Sequence, residues 1–131
     1  MRIRLDKLDS LFSRYIRMRA IAQVGGCQRC LTPKVDYKQL QAAHFHGRSR
    51  RSVRWDEDNS CGLCMGCHVY LDSHPLEQVE FFKTLLGERD FDLLNARTRV
   101  TAKPDKNALT LYLRQKIRDL NSENKGDVDV H

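Results

Sequence analysis

Two short cysteine pairs, Cys27-Gln28-Arg29-Cys30 and Cys64-Met65-Gly66-Cys67, constrain this chain more than any other feature. In a CxxC turn two thiolates can reach the same tetrahedral ion while the intervening amides point at sulfur. Thirty-three residues separate the pairs, more than the ~15 to 20 of a compact zinc ribbon, so an insertion lies between them. Cys61 adds an ambiguity, because Cys61 to Cys67 contains two overlapping CxxC registers. The Cys64/Cys67 register is preferred, since a knuckle followed directly by a helix is a common zinc-binding arrangement. Cys61 would then be a small buried apolar side chain, and a site that uses Cys61 is the alternative. The expectation is a structural Zn²⁺ held by Cys27, Cys30, Cys64 and Cys67.

A staple of this kind suits the composition. The chain has 131 residues, 40% hydrophobic and 31% charged, which implies one domain with a thin core. No stretch approaches the ~18 uninterrupted apolar residues of a membrane helix, and MRIRLDKLDS lacks the apolar segment of a signal peptide. A cytoplasmic protein without membrane contact is expected, and in that reducing compartment paired cysteines hold metals more readily than disulfides. The net charge of +6 is uneven: residues 1–60 carry 13 Lys/Arg against 6 Asp/Glu. A basic lobe of this kind fits a polyanionic partner.

Helical spacing of Leu5, Leu8, Leu11, Phe12, Tyr15, Ile16 and Ala20 predicts an amphipathic helix to about Val24, ended by Gly25 and Gly26. Residues 34–46 lack helical periodicity and read as one or two strands ending near His46. Gly47 to Arg54 (GRSRRSVR) is a basic loop. A short helix should follow Cys67 to about Ser73, where Pro75 forces a break and starts the next helix, closed by Gly87. Further helices are expected over residues 90–99 and 105–120, with a polar, frayed end. The division expected is residues 1–99 as the main domain and 100–131 as an appended helix and tail.

The run Asn59-Ser60-Cys61-Gly62-Leu63-Cys64-Met65-Gly66-Cys67-His68 resembles the HNH endonuclease pattern N-L-x-x-L-C-x-x-C-H at every position but one. Ala43-His44-Phe45 lies where that family has its Asp-His or His-His pair. With AHFHGR, VRWDEDN and the opening helix, the chain is similar to the phage recombination-nuclease branch (NinG/Rap-like), over roughly residues 5–95. The resemblance implies an α+β fold, a zinc-stapled treble-clef ββα-metal (HNH) core with flanking helices, and an enzyme that cuts duplex or branched DNA. It implies His44 as the general base, Asn59 as the residue that fixes the loop and orients that histidine, and His68 as a ligand of a catalytic ion. Mg²⁺ or Mn²⁺ is the natural ion, and a histidine ligand also admits a transition metal.

The chain departs from the pattern at Ala43, where many relatives carry a metal-binding Asp or His. Asp72, four residues after His68, and His46, on the same strand face as His44, are the two candidate replacements. Arg48, Arg50, Arg51 and Arg54 are expected to grip phosphates beside the cut. Trp55 reads as partly core-packed, His74 as a turn residue and His131 as a tail residue. Symmetric cutting of branched DNA would need two sites, and the first helix is the surface best suited to form a homodimer. The competing reading is a zinc-containing DNA-binding recombination accessory module without catalysis.

Overall fold

The chain opens with a helix fixed at both ends by its own sequence. Asp6 accepts from the Leu8 amide, and the Asp9 carboxylate accepts from the Asp6 amide, a reciprocal capping box. This helix, α1 (Lys7–Val24), closes where Gly25 takes the left-handed conformation at φ 70° and donates to the Ile21 carbonyl. In the computed structural model residues 4–129 are described, with side chains as far as residue 123. The reading of His131 lies outside the described residues.

Beyond the first cysteine turn, Asp36 caps a single 3₁₀ turn, Tyr37–Gln39, and the chain extends into β1 (Gln41–His44). The basic loop carries a 3₁₀ turn at Arg51–Val53 and another at Glu57–Asn59 before β2 (Ser60–Leu63). The two strands pair antiparallel, Gln41 opposite Leu63 and His44 opposite Ser60. Four helices follow: α2 (Met65–Asp72), α3 (Pro75–Leu86), α4 (Glu88–Arg97) and α5 (Lys106–Asp129). The architecture is therefore α+β, five helices around a two-stranded sheet. No helix among the described residues is long and apolar enough to cross a membrane.

Alpha-1 lies between two apolar clusters. Its Ala20 joins Leu40, Leu63, Leu71, Phe82 and Phe91 in the first, beside the cysteines. Gly62 makes that approach possible, because a Cβ there would sit 2.6 Å from the Ala20 methyl. Leu8, Phe12, Tyr15 and Ile16 form the second cluster with Trp55, Leu113 and Ile117. Alpha-5 thus packs back on α1 through the second cluster, which covers much of the apolar face of α1. Alpha-5 also runs to Asp129, through most of the polar stretch expected to fray. Docking of Leu113 and Ile117 supplies the packing that a polar segment lacks, and helix propagation beyond a docked turn is cheap.

Arg54 and Asp9 weld the basic loop to α1. The guanidinium donates from Nε to Asp9 Oδ1 at 3.0 Å and from Nη2 to the Arg4 carbonyl at 2.9 Å, and Trp55 Nε1 donates to the same carboxylate at 2.9 Å. Both charged side chains are almost covered, at 10% and 11% exposure. Burial pushes the Asp9 carboxyl up, but the hydrogen bonds from Arg54, the Asp6 amide and Trp55 outweigh it and hold it below the usual range. The expectation that Arg54 grips phosphate is corrected by this geometry, since its Nε and Nη2 donors are committed inside the fold. Arg54→Ala leaves a buried carboxylate without its partner and is expected to cost about 3 to 5 kcal/mol in urea unfolding. A loss below about 1 kcal/mol would place the pair in solvent.

Candidate metal centre and histidine cleft

The two cysteine pairs meet. One sulfur from each of Cys27, Cys30, Cys64 and Cys67 lies within 4.8 Å of the other three, and Cys30 Sγ to Cys64 Sγ is 3.8 Å. A tetrahedral ion with Zn–S bonds of about 2.3 Å needs sulfurs about 3.8 Å apart, so the cluster can hold a metal such as zinc. Local backbone builds the set. Leu31 takes a left-handed φ of 62° as its amide bonds to the Cys27 carbonyl, turning the first knuckle. Cys64 caps α2, its sulfur accepting from the Cys67 amide at 3.4 Å.

The surroundings suit anionic sulfur. The Arg29 amide donates to Cys27 Sγ at 3.5 Å, and its guanidinium donates to Cys67 Sγ at 3.3 Å while lying over the Tyr70 ring. The side chain and backbone of Thr32 bring the Cys30 thiol down to about 6, whereas burial pushes Cys67 up to about 12. An ion that takes all four must displace protons, so binding weakens as pH falls. Cys61 stands apart: it is fully buried in β2 opposite Ala43, and burial pushes its thiol up, keeping it neutral.

On the opposite side of the hairpin, His44 and His68 line one cleft of about 530 Å³ with Asp9, Ser13, Arg17 and Arg48. His44 is the last residue of β1, and its Nε2–H donates to the Arg54 carbonyl at 3.2 Å, which leaves the lone pair on Nδ1. Burial lowers its pKa below 6.5 and nearby Arg48 lowers it further, against the opposing pull of that hydrogen bond. His68 sits in the first turns of α2, where Nδ1–H donates to Gln41 Oε1 at 2.7 Å and Nε2 stands 3.7 Å from Asp72. The lone pair on Nε2 is the one a metal ligand requires.

Asn59 is fully buried and closes the loop between the strands. It donates from Nδ2 to the carbonyls of His46 and Val53, at 2.9 and 3.0 Å, and accepts from the His46 amide at 2.8 Å. The next carbonyl along, that of Arg54, is the one that orients His44.

His46 is not a partner of His44. Beta-1 ends two residues earlier, so strand alternation no longer applies, and the His46 ring turns to Asn95 Oδ1 at 2.8 Å and against Phe45. Asp72 does reach the face of His68, with its carboxylate mostly exposed. Ala43 is buried in the first core, so a carboxylate at that position would face apolar neighbours. Of the arginines, Arg48 lines the cleft, Arg50 and Arg51 are exposed, and Arg51 borders a different cavity beside Trp55 and Lys103. His74 packs on Tyr70 in the turn before α3. Sequence reasoning missed Ser13 and Arg17, whose only signal was their i, i+4 spacing with Asp9 on a face that looks merely solvated, and Gln41, which carried no signal.

Comparison with family models, with curated proteins and with solved structures finds no match.

Two measurements follow from this geometry. Cys61→Ala should retain the metal content of the parent by elemental analysis, while Cys64→Ala should lose it; the reverse would move the site to the other register. The His44 ring should titrate below 6.5 by NMR. Because its folded pKa lies under its unfolded value, the stability gained from a neutral ring is complete above pH 6.5 and falls away as pH drops through the folded pKa. A His44 pKa at or above 6.5 would contradict the burial described.

Proposed function

We propose that the chain is a metal-dependent endonuclease of the HNH (ββα-metal) type that hydrolyses phosphodiester bonds in DNA, duplex or branched. The observation that carries this reading is a neutral, oriented imidazole, His44, sharing one cleft with His68 and two arginines. The order of elements supports it too: a cysteine knuckle, a hairpin, and a second knuckle leading into α2 are what a treble clef of that class would require.

In this reading His44 Nδ1 takes the proton from the attacking water, for which a pKa below 6.5 keeps it unprotonated near neutral pH. Arg48 and Arg17 bind the phosphate oxygens. Asn59 positions His44 through the loop that presents the Arg54 carbonyl. A divalent ion, Mg²⁺ or Mn²⁺, would supply charge neutralisation at the phosphate and the leaving 3′ oxygen. His68 and Asp72 are the residues that would hold it. They fit such an ion only in part, because among the described residues the four cysteines alone form a group of three or more acidic, histidine or cysteine ligands. Water and DNA phosphate oxygens must complete the shell, which predicts weak ion binding in the absence of DNA.

That incomplete ligand set, with Ala43 buried where a carboxylate ligand was expected, favours one second reading: a DNA-binding recombination accessory protein without catalysis. Incubation with linear, flapped and four-way DNA, with and without Mg²⁺ or Mn²⁺, separates the two. The nuclease reading expects ion-dependent cutting, a drop of about 10²- to 10⁴-fold in His44→Ala with binding retained, and an acid limb with an apparent pKa below 6.5. Binding without cutting, identical in parent and His44→Ala, would establish the accessory reading instead.

A further inference from the structure

A second basic groove lies beside the cleft, on the neighbouring face of α1. It has a volume of about 350 Å³ and runs between α1 and α5, with Lys7, Ser10 and Arg14 from one helix and Thr110 and Arg114 from the other. No Asp or Glu lines it. Lys7, Arg14 and Arg114 are all exposed, and none forms a salt bridge among the described residues. The nearby carboxylates do not offset them, because Asp6 pairs with Lys106 and Asp9 with Arg54. Three like charges on two facing helices repel one another, so their charge does not favour the packing of these helices.

The groove adjoins the histidine cleft, with Ser10 on the border of both. From Arg17 in the cleft to Lys7 at the far end of the groove is ten residues of helix, about 15 Å at 1.5 Å per residue. Measured along the axis of a duplex, that length corresponds to about four phosphates of one strand, at 3.4 Å of rise each. Alpha-5, which lies outside the segment resembling HNH nucleases, therefore completes a positive track that begins at the candidate site.

We propose that the α1–α5 groove binds the sugar–phosphate backbone of DNA beyond the cleft, with Lys7, Arg14 and Arg114 as phosphate contacts and Ser10 and Thr110 as hydroxyl donors. This rests on the reading of the cleft as a DNA site, and it enlarges the footprint from one phosphodiester to a segment of duplex. The groove acts through charge and hydroxyl donors alone, so it holds DNA without regard to sequence.

The test is a salt titration of binding to a duplex of about 30 bp, in chelator-free buffer without added Mg²⁺, comparing the zinc-loaded parent with Lys7→Ala/Arg14→Ala/Arg114→Ala. A second triple variant, Lys83→Ala/Arg89→Ala/Arg99→Ala, removes the same charge from residues that line neither the cleft nor the groove. The groove variant is expected to bind about tenfold or more weakly at moderate salt, with the slope of log K against log salt shallower by about 2 to 3. The control variant should stay close to the parent. Equal losses in both triple variants, or none in the groove variant, would overturn the groove while leaving the cleft intact. A parent that binds no DNA at all would overturn the reading of the cleft, and the groove with it.

Discussion

Four sulfurs converge on a space the size of one ion, and a metal held there would tie the two halves of the fold together. The first pair sits just after α1 and the second at the start of α2, so the hairpin and the whole basic loop lie on the chain between them. Closing that 33-residue segment through a metal removes conformational freedom from the unfolded chain, worth about 3 to 4 kcal/mol if it acts as a disulfide of similar loop length would. Cys27 and Cys67 also belong to the first apolar cluster, so the cysteine turns and the core are packed together. A chain with so thin a core gains more from this than a larger protein would.

The histidine cleft lies on the elements that such a closure would join. Antiparallel pairing of β1 with β2 puts His44 beside the end of the loop, and the second knuckle sets the direction of α2, which brings His68 to Gln41 of β1. Asn59 then converts a loose basic loop into a fixed one with three hydrogen bonds, and the Asp9–Arg54–Trp55 cluster ties the same loop to α1. Each of these is a buried polar group with its partners in place, the condition under which polar interiors add rigidity at little cost. The carbonyl that selects the His44 tautomer thus comes from the residue whose side chain anchors the loop.

What was legible in the sequence was local. CxxC spacing, the glycine after α1, Pro75 and Gly87 act over a few residues, and each marked the feature expected of it. Cys61 was separable from the ligands because only the later register runs straight into a helix. What was hidden depended on distant partners. Arg48 and Arg54 look alike in a basic run, and only Asp9, 45 residues from Arg54, makes one of them structural. His46 failed as a strand-face neighbour because β1 stops at His44, a boundary that alternation cannot locate in so short a strand. The helical pattern of α5 was visible in Leu109, Leu113 and Leu120, but not that it would pack on α1 and so create a basic groove.

X-ray absorption at the zinc edge of purified protein tests the central claim most directly. The account predicts one tightly held zinc per chain with four sulfur neighbours at about 2.3 Å and no light-atom ligand. A first shell with two or more nitrogen or oxygen atoms, or a chain that folds fully with no metal bound, would contradict it.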